Sequence, residues 1–203
     1  MRTKIIITLA GLLLAGCATE TVNIDVVNDE GKAVMALDYR DFAQAASEMI
    51  QSMIGSGALK KPGGGRYVMT TARITNDTMQ RIDTDQLMAK VEEELMNSGM
   101  VVMTSAVGGK GAPDEMIYEM RDIRDSATGD EFKQETLAGK RTLIAPELSV
   151  SGKILQRNIR YDNNRQQVEY YFQLRITDLT TGLRFWQKES IIGKRGSNRS
   201  VAW

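Results

Sequence analysis

The sequence predicts an α+β fold of the αβ-sandwich kind, a mixed, mostly antiparallel sheet of about four or five strands with helices packed on it. Three observations carry this reading. In the first half apolar residues recur at helical spacing, at Phe42, Ala46, Met49, Ile50 and Met53 and again at Leu87, Val91 and Leu95. From Glu147 onward the spacing becomes two: Leu148, Val150, Gly152 and Ile154 share one face, as do Val168, Tyr170, Phe172, Leu174 and Ile176. Between these runs stand turn-forming strings, Asp162-Asn163-Asn164-Arg165 and Asp178-Leu179-Thr180-Thr181-Gly182, which is the punctuation of a three-strand antiparallel meander.

Each element has a local reason. Asp38 is placed to cap the first helix, its carboxylate accepting orphan backbone N–H groups, and Gly55 and Gly57 end that helix. Pro62-Gly63-Gly64-Gly65 is a turn. Arg66 to Thr75 then alternates as a strand, with Val68, Thr70, Ala72 and Ile74 expected on one side and Tyr67, Met69, Thr71 and Arg73 on the other. Asp83 or Thr84 caps a second helix and Gly99 stops it. Glu92-Glu93-Glu94 fans around that helix and reads as a solvated face. Met100 to Thr104 is a short strand. Gly108-Gly109-Lys110-Gly111 is not a phosphate loop, because Thr104 stands where the motif needs Gly and Gly111 where it needs Ser or Thr. Residues 114 to about 139 read as helical, broken at Gly129, and Leu183 to Ile192 closes the meander with Phe185 and Trp186.

The chain opens with a different pattern. Arg2 and Lys4 precede an apolar run from Ile5 to Ala15, followed by Leu14-Ala15-Gly16-Cys17. A run of about 11 residues is short of the roughly 20 that span a bilayer, and the order of charge, apolar core and small residues is that of a secretory signal. The string resembles a lipobox, which implies lipidation of Cys17 and an anchor of several acyl chains. Ala18 rather than Asp after Cys17 resembles the pattern of outer-membrane sorting. The expected organisation is a signal peptide at 1–16, a short linker at 17–35, a globular domain at 36–196 and a tail at 197–203. Thr21 to Val27 holds a short alternating pattern within the linker.

Composition narrows the chemistry. The 26 basic and 26 acidic residues cancel, so nothing marks a nucleic-acid-binding face. Histidine is absent, which excludes Ser-His-Asp and Cys-His catalysis and the H-E-x-x-H zinc site. Cys17 is the only cysteine, so there is no internal disulfide and no cysteine metal site. Neither a cofactor nor a metal is expected, and the protein is not expected to be an enzyme. Carboxylates such as Asp114 and Glu115 are adjacent and face apart on a helix, unlike a glycosidase pair.

Several strings resemble one family. Leu37-Asp38-Tyr39-Arg40-Asp41-Phe42, Ala45-Ala46-Ser47-Glu48-Met49, Thr75-Asn76-Asp77-Thr78, Ser151-Gly152-Lys153-Ile154-Leu155-Gln156-Arg157 and the long run from Tyr170 to Gly182 with Trp186 are similar to the LpoB-type outer-membrane lipoproteins. The resemblance spans about residues 36 to 196 plus the lipobox. It implies a domain similar to the TolB amino-terminal domain. It also implies a non-catalytic role, the binding and activation of a class A bifunctional penicillin-binding protein in peptidoglycan synthesis, from the periplasmic side of the outer membrane. A monomer is expected. The alternative is a structural or secretion-associated lipoprotein of the curli-secretion kind.

For an activator the site is a surface that reads shape. The polar side of the meander, where Tyr171 and Arg175 alternate with core residues, is the first candidate, since Tyr and Arg are favoured at binding hot spots. A sheet face covered by a helix is the competing reading of the same residues. Arg73 and Tyr161 are further candidates. Members of the family carry a long linker, whereas here about 20 residues separate Cys17 from Asp38, a reach of ~70 Å fully stretched or ~25 Å as a flexible coil.

Overall fold

Asp38 caps the first helix. Its carboxylate accepts the N–H groups of Arg40 (2.9 Å) and Asp41 (3.2 Å), and the Asp41 carboxylate accepts the Asp38 N–H at 2.8 Å. This reciprocal capping box satisfies donors that a helix start otherwise leaves orphaned, and it opens α1, Tyr39–Gly55. The computed structural model describes residues 25–26, 34–160, 162–197 and 199. Cys17, the expected signal peptide at 1–16 and Tyr161 lie outside the described residues.

After α1 come β1 (Tyr67–Asp77), α2 (Thr84–Asn97), β2 (Val101–Met103), α3 (Met116–Asp125), β3 (Leu148–Arg160), β4 (Arg165–Asp178) and β5 (Arg184–Ser197). Asp83 caps α2 by accepting from Asp85 and Gln86. The strands form one sheet in the order β2-β1-β3-β4-β5. β1 runs parallel to both β2 and β3, and β3, β4 and β5 form the expected antiparallel meander. The fold is therefore α+β with a five-stranded mixed sheet. No helix among the described residues is long and apolar enough to cross a membrane.

The core lies on one face of the sheet. Ala45, Ala46, Met49, Ile50 and Met53 of α1 and Leu87, Met88, Val91 and Leu95 of α2 close over Leu148, Val150 and Ile154 of β3 and the even-numbered residues Val168 to Ile176 of β4. Phe42 meets Phe172 edge to face, with ring centres 5.8 Å apart, the offset geometry that ring quadrupoles favour. Trp186 of β5 is buried while its neighbour Phe185 is exposed.

β1 departs from the expected alternation. Its pairing with β3 runs Thr71↔Val150 and then Ile74↔Gly152, so three residues advance on β1 while two advance on β3. This one-residue bulge flips the side-chain parity. Met69 and Ile74, expected on opposite sides, both enter the core. Gly109 belongs to the same feature: a Cβ there would lie 2.7 Å from the Arg73 nitrogen, and its N–H donates to the Thr71 carbonyl at 2.9 Å. The glycine-rich string thus serves a close backbone approach to β1. The region expected to be helical from 114 to 139 is helical only as α3, followed by short 3-10 turns at Ala127–Glu131 and Gln134–Thr136. Gly129 is buried, and a Cβ on it would lie 2.7 Å from the Ile123 carbonyl oxygen, so the chain folds back on the end of α3 here.

Two polar clusters tie the segment before α1 to the core. Tyr170 is fully buried; its hydroxyl donates to the Met35 carbonyl at 3.0 Å and accepts from the Gln80 amide, while the Leu37 N–H donates to the same amide group at 3.2 Å. Burial, and then the charge of Asp41, push this hydroxyl up to about 12, so it stays a donor. Beside it Lys194 forms an ion pair with Asp41 and donates to the Ala36 carbonyl at 2.7 Å.

Glu147, at the entry to β3, accepts from Lys61 Nζ at 2.8 Å and from the Val68 N–H at 3.2 Å. The Lys61 hydrogen bond, and then the Val68 N–H, hold its carboxyl below the usual value of 4.5. A depressed carboxylate adds stability above its unfolded pKa and loses it as pH falls through the folded one. Glu147→Gln is therefore expected to lower the thermal midpoint at neutral pH, with the difference from the parent closing below about pH 4. Thermal melts across that range check this.

Candidate functional site

The other face of the sheet is open. α1 and α2 pack on the core face, α1 chiefly on β5 and α2 on β1 and β2, and α3 packs on the turn that follows it. Strand register therefore builds this face row by row. Leu155, Tyr171 and Ile191 lie directly across β3, β4 and β5 from one another. On one side of this bar stands the row Lys153–Gln173–Glu189, then Ser151–Arg175–Gln187; on the other stand Arg157–Glu169–Gly193 and Ile159–Gln167–Arg195. An aromatic and two aliphatic side chains thus cross three strands, with charged and amide groups on both flanks.

The flanking side chains are held. The Tyr171 hydroxyl donates to Glu169 at 2.5 Å, and Gln167 donates to the other Glu169 oxygen at 2.7 Å. The Arg157 guanidinium lies 5.9 Å from the centre of the Tyr171 ring, a cation–π placement. Gln173 donates to Glu189 at 2.7 Å, Lys153 pairs with Asp77 at 2.6 Å, and Arg175 donates to Ser151 at 2.9 Å. The Tyr171 hydrogen bond, then that of Gln167, holds the Glu169 carboxyl below its usual value, and the same bond raises the Tyr171 hydroxyl above its own. Around neutral pH the centre of the face therefore presents an anchored carboxylate and a protonated phenol. Such a surface binds by shape and placed polar groups.

Of the residues expected from sequence, Tyr171 and Arg175 share this face, two rows apart, about 13 Å along β4. Arg73 does not join them. The β1 bulge carries it to a separate cleft of about 390 Å³ lined by Thr84, Asp85, Met88 and Gly108 to Pro113, where its Nε donates to the Gly109 carbonyl at 3.2 Å. Asp85 in that cleft is bound by Lys110 at 2.6 Å. Among the described residues no cluster of acidic side chains could hold a metal ion. Leu155, Ile191, Arg157 and Glu169 were not expected as site residues. Their alternation marks the face, but only the pairing register places them around Tyr171.

A family model described as peptidoglycan-synthase activator LpoB matches residues 41–192, from the first turn of α1 to Ile192 in β5. The chain belongs to the LpoB family. The resemblance carried by its sequence implied this, and the matched stretch contains the whole bar of Leu155, Tyr171 and Ile191. The role of the LpoB family is regulatory, the activation of a peptidoglycan synthase, rather than catalytic. Solved structures similar to this LpoB-family chain include the LpoB C-terminal domain from Escherichia coli, at 12% identity over 75% of this chain and 98% of that one, with a TM-score of 0.43. The NMR structure of E. coli LpoB is similar at 12% identity over 97% of this chain and 91% of that one, with a TM-score of 0.40. Lipoprotein GNA1162 from Neisseria meningitidis is similar at 12% identity over 66% and 86%, with a TM-score of 0.37. Among curated proteins none matches this chain.

Proposed function

We propose that this protein is an outer-membrane lipoprotein, anchored through Cys17 and facing the periplasm, that docks a class A bifunctional penicillin-binding protein on the open face of β3, β4 and β5 and activates it without chemistry of its own. The observation that carries this reading is the bar Leu155–Tyr171–Ile191 flanked by anchored polar groups, an aromatic centre with a polar rim as in binding hot spots. Family membership supports the activator role. The absence of histidine, with one cysteine assigned to the lipid, is consistent with a protein that works by contact. Anchoring sets a geometric condition: about 20 residues between Cys17 and Asp38 reach ~70 Å at most, so the docking region of the synthase has to come within that distance of the membrane.

The test joins binding to activity. The lipidated protein, in detergent, is expected to retain the synthase of the same organism on an affinity matrix and to raise its rate of lipid II polymerisation. No retention and no change of rate would overturn the proposal.

A further inference from the structure

We propose that two copies of this chain pair edge to edge through β5, about a two-fold axis at Ile192, into one continuous ten-stranded sheet. β5 is the last strand of the sheet and 14 residues long. Among the described residues its backbone pairs with β4 alone. A long open edge is a template for another strand. Two identical edges meeting antiparallel form a self-complementary contact in which each pair occurs twice.

One register satisfies β5 against itself. With Ile192 on the axis, Ile191 stands opposite Gly193 of the second copy, and Glu189 stands opposite Arg195 of the second copy; symmetry repeats both pairs. Ile191 is 56% exposed, unusual for a large aliphatic side chain on a strand. Gly193 has nothing within 4 Å of where its Cβ would be. The exposed isoleucine of one copy therefore lies over the vacant position of the other. Opposite charges directly across a strand pair attract and like charges repel. Sliding the register by one pair in either direction breaks both Glu189–Arg195 pairs, setting Glu189 against Gly193 in one case and Ile191 against Arg195 in the other. The charge pattern thus selects the register that also fills the glycine position.

This pairing departs from the monomer expected from sequence and takes Ile191, at one end of the bar, into the seam between the copies. All the named contacts except Ile192 lie on the open face, so the sheet of one copy continues into that of the other and Leu155 and Tyr171 stay uncovered.

Sedimentation equilibrium of the full chain in detergent tests the proposal, with the parent, Glu189→Arg, Arg195→Glu and the double exchange. All four are expected to give the same circular dichroism, because both side chains are exposed. The parent is expected as a dimer. Each single reversal places like charges across the axis twice and is expected to weaken dimerisation at least tenfold, and the double exchange is expected to restore it. A parent that stays monomeric at every concentration, single reversals that leave its mass unchanged, or a double exchange that fails to restore the dimer would overturn the proposal.

Discussion

Tyr171→Ala is expected to weaken binding of the synthase by about 2 kcal/mol, roughly thirty-fold, the scale of a central aromatic hot spot. Three losses combine. The bar across β3, β4 and β5 loses its middle, Arg157 loses the ring it faces at 5.9 Å, and Glu169 loses the hydroxyl that holds one of its oxygens at 2.5 Å. Stability should change by about 1 kcal/mol or less, because the ring stands on the open face. Tyr171→Phe separates the contributions: it keeps the ring and its stacking while freeing Glu169, and so should cost less than the alanine. Arg175→Ala, two rows away, should have a smaller effect. Isothermal titration with the periplasmic region of the synthase, alongside thermal melts of each variant, reads both quantities.

Lys194→Ala is expected to have the largest effect on stability. The Lys194 and Asp41 side chains are 9% and 13% exposed and paired, and Lys194 also donates to the Ala36 carbonyl. Removing one partner of a buried pair strands the other charge and costs about 3–5 kcal/mol. For a domain of this size that is a fall in melting midpoint on the order of 10 °C. The mechanism makes a second prediction. Lys194→Met combined with Asp41→Asn removes both charges while leaving an acceptor for the Asp38 N–H, and should recover a large part of the loss, whereas if Lys194 served only as packing the double variant would be no better than the single one. Urea unfolding of the parent, the single and the double variant distinguishes these outcomes.

Much of this architecture is written in local chemistry, and the exceptions have physical causes. Asp38 and Asp83 announce their helices, because a capping carboxylate acts within three residues. The meander is plain from the alternation of Val168 to Ile176. The parity of β1 is not, since a bulge inserts one residue with no compositional mark and turns every later side chain over, so that Met69 and Ile74 share the core. The segment after α3 reads as helical until Gly129 is seen against the Ile123 carbonyl, a contact that no spacing records. Half of the candidate site was legible in the same way. Tyr171 and Arg175 follow from alternation, whereas Leu155 and Ile191 become their neighbours only through the register across three strands.

The central claim is that the open face of β3, β4 and β5 touches the synthase. Site-specific photo-crosslinking in cells tests it most directly, with the reactive residue placed at Leu155 on that face and, in a second variant, at exposed Gln51 on α1. The account predicts a crosslink to a class A penicillin-binding protein from Leu155 and none from Gln51. Crosslinking from Gln51 with none from Leu155 would contradict it.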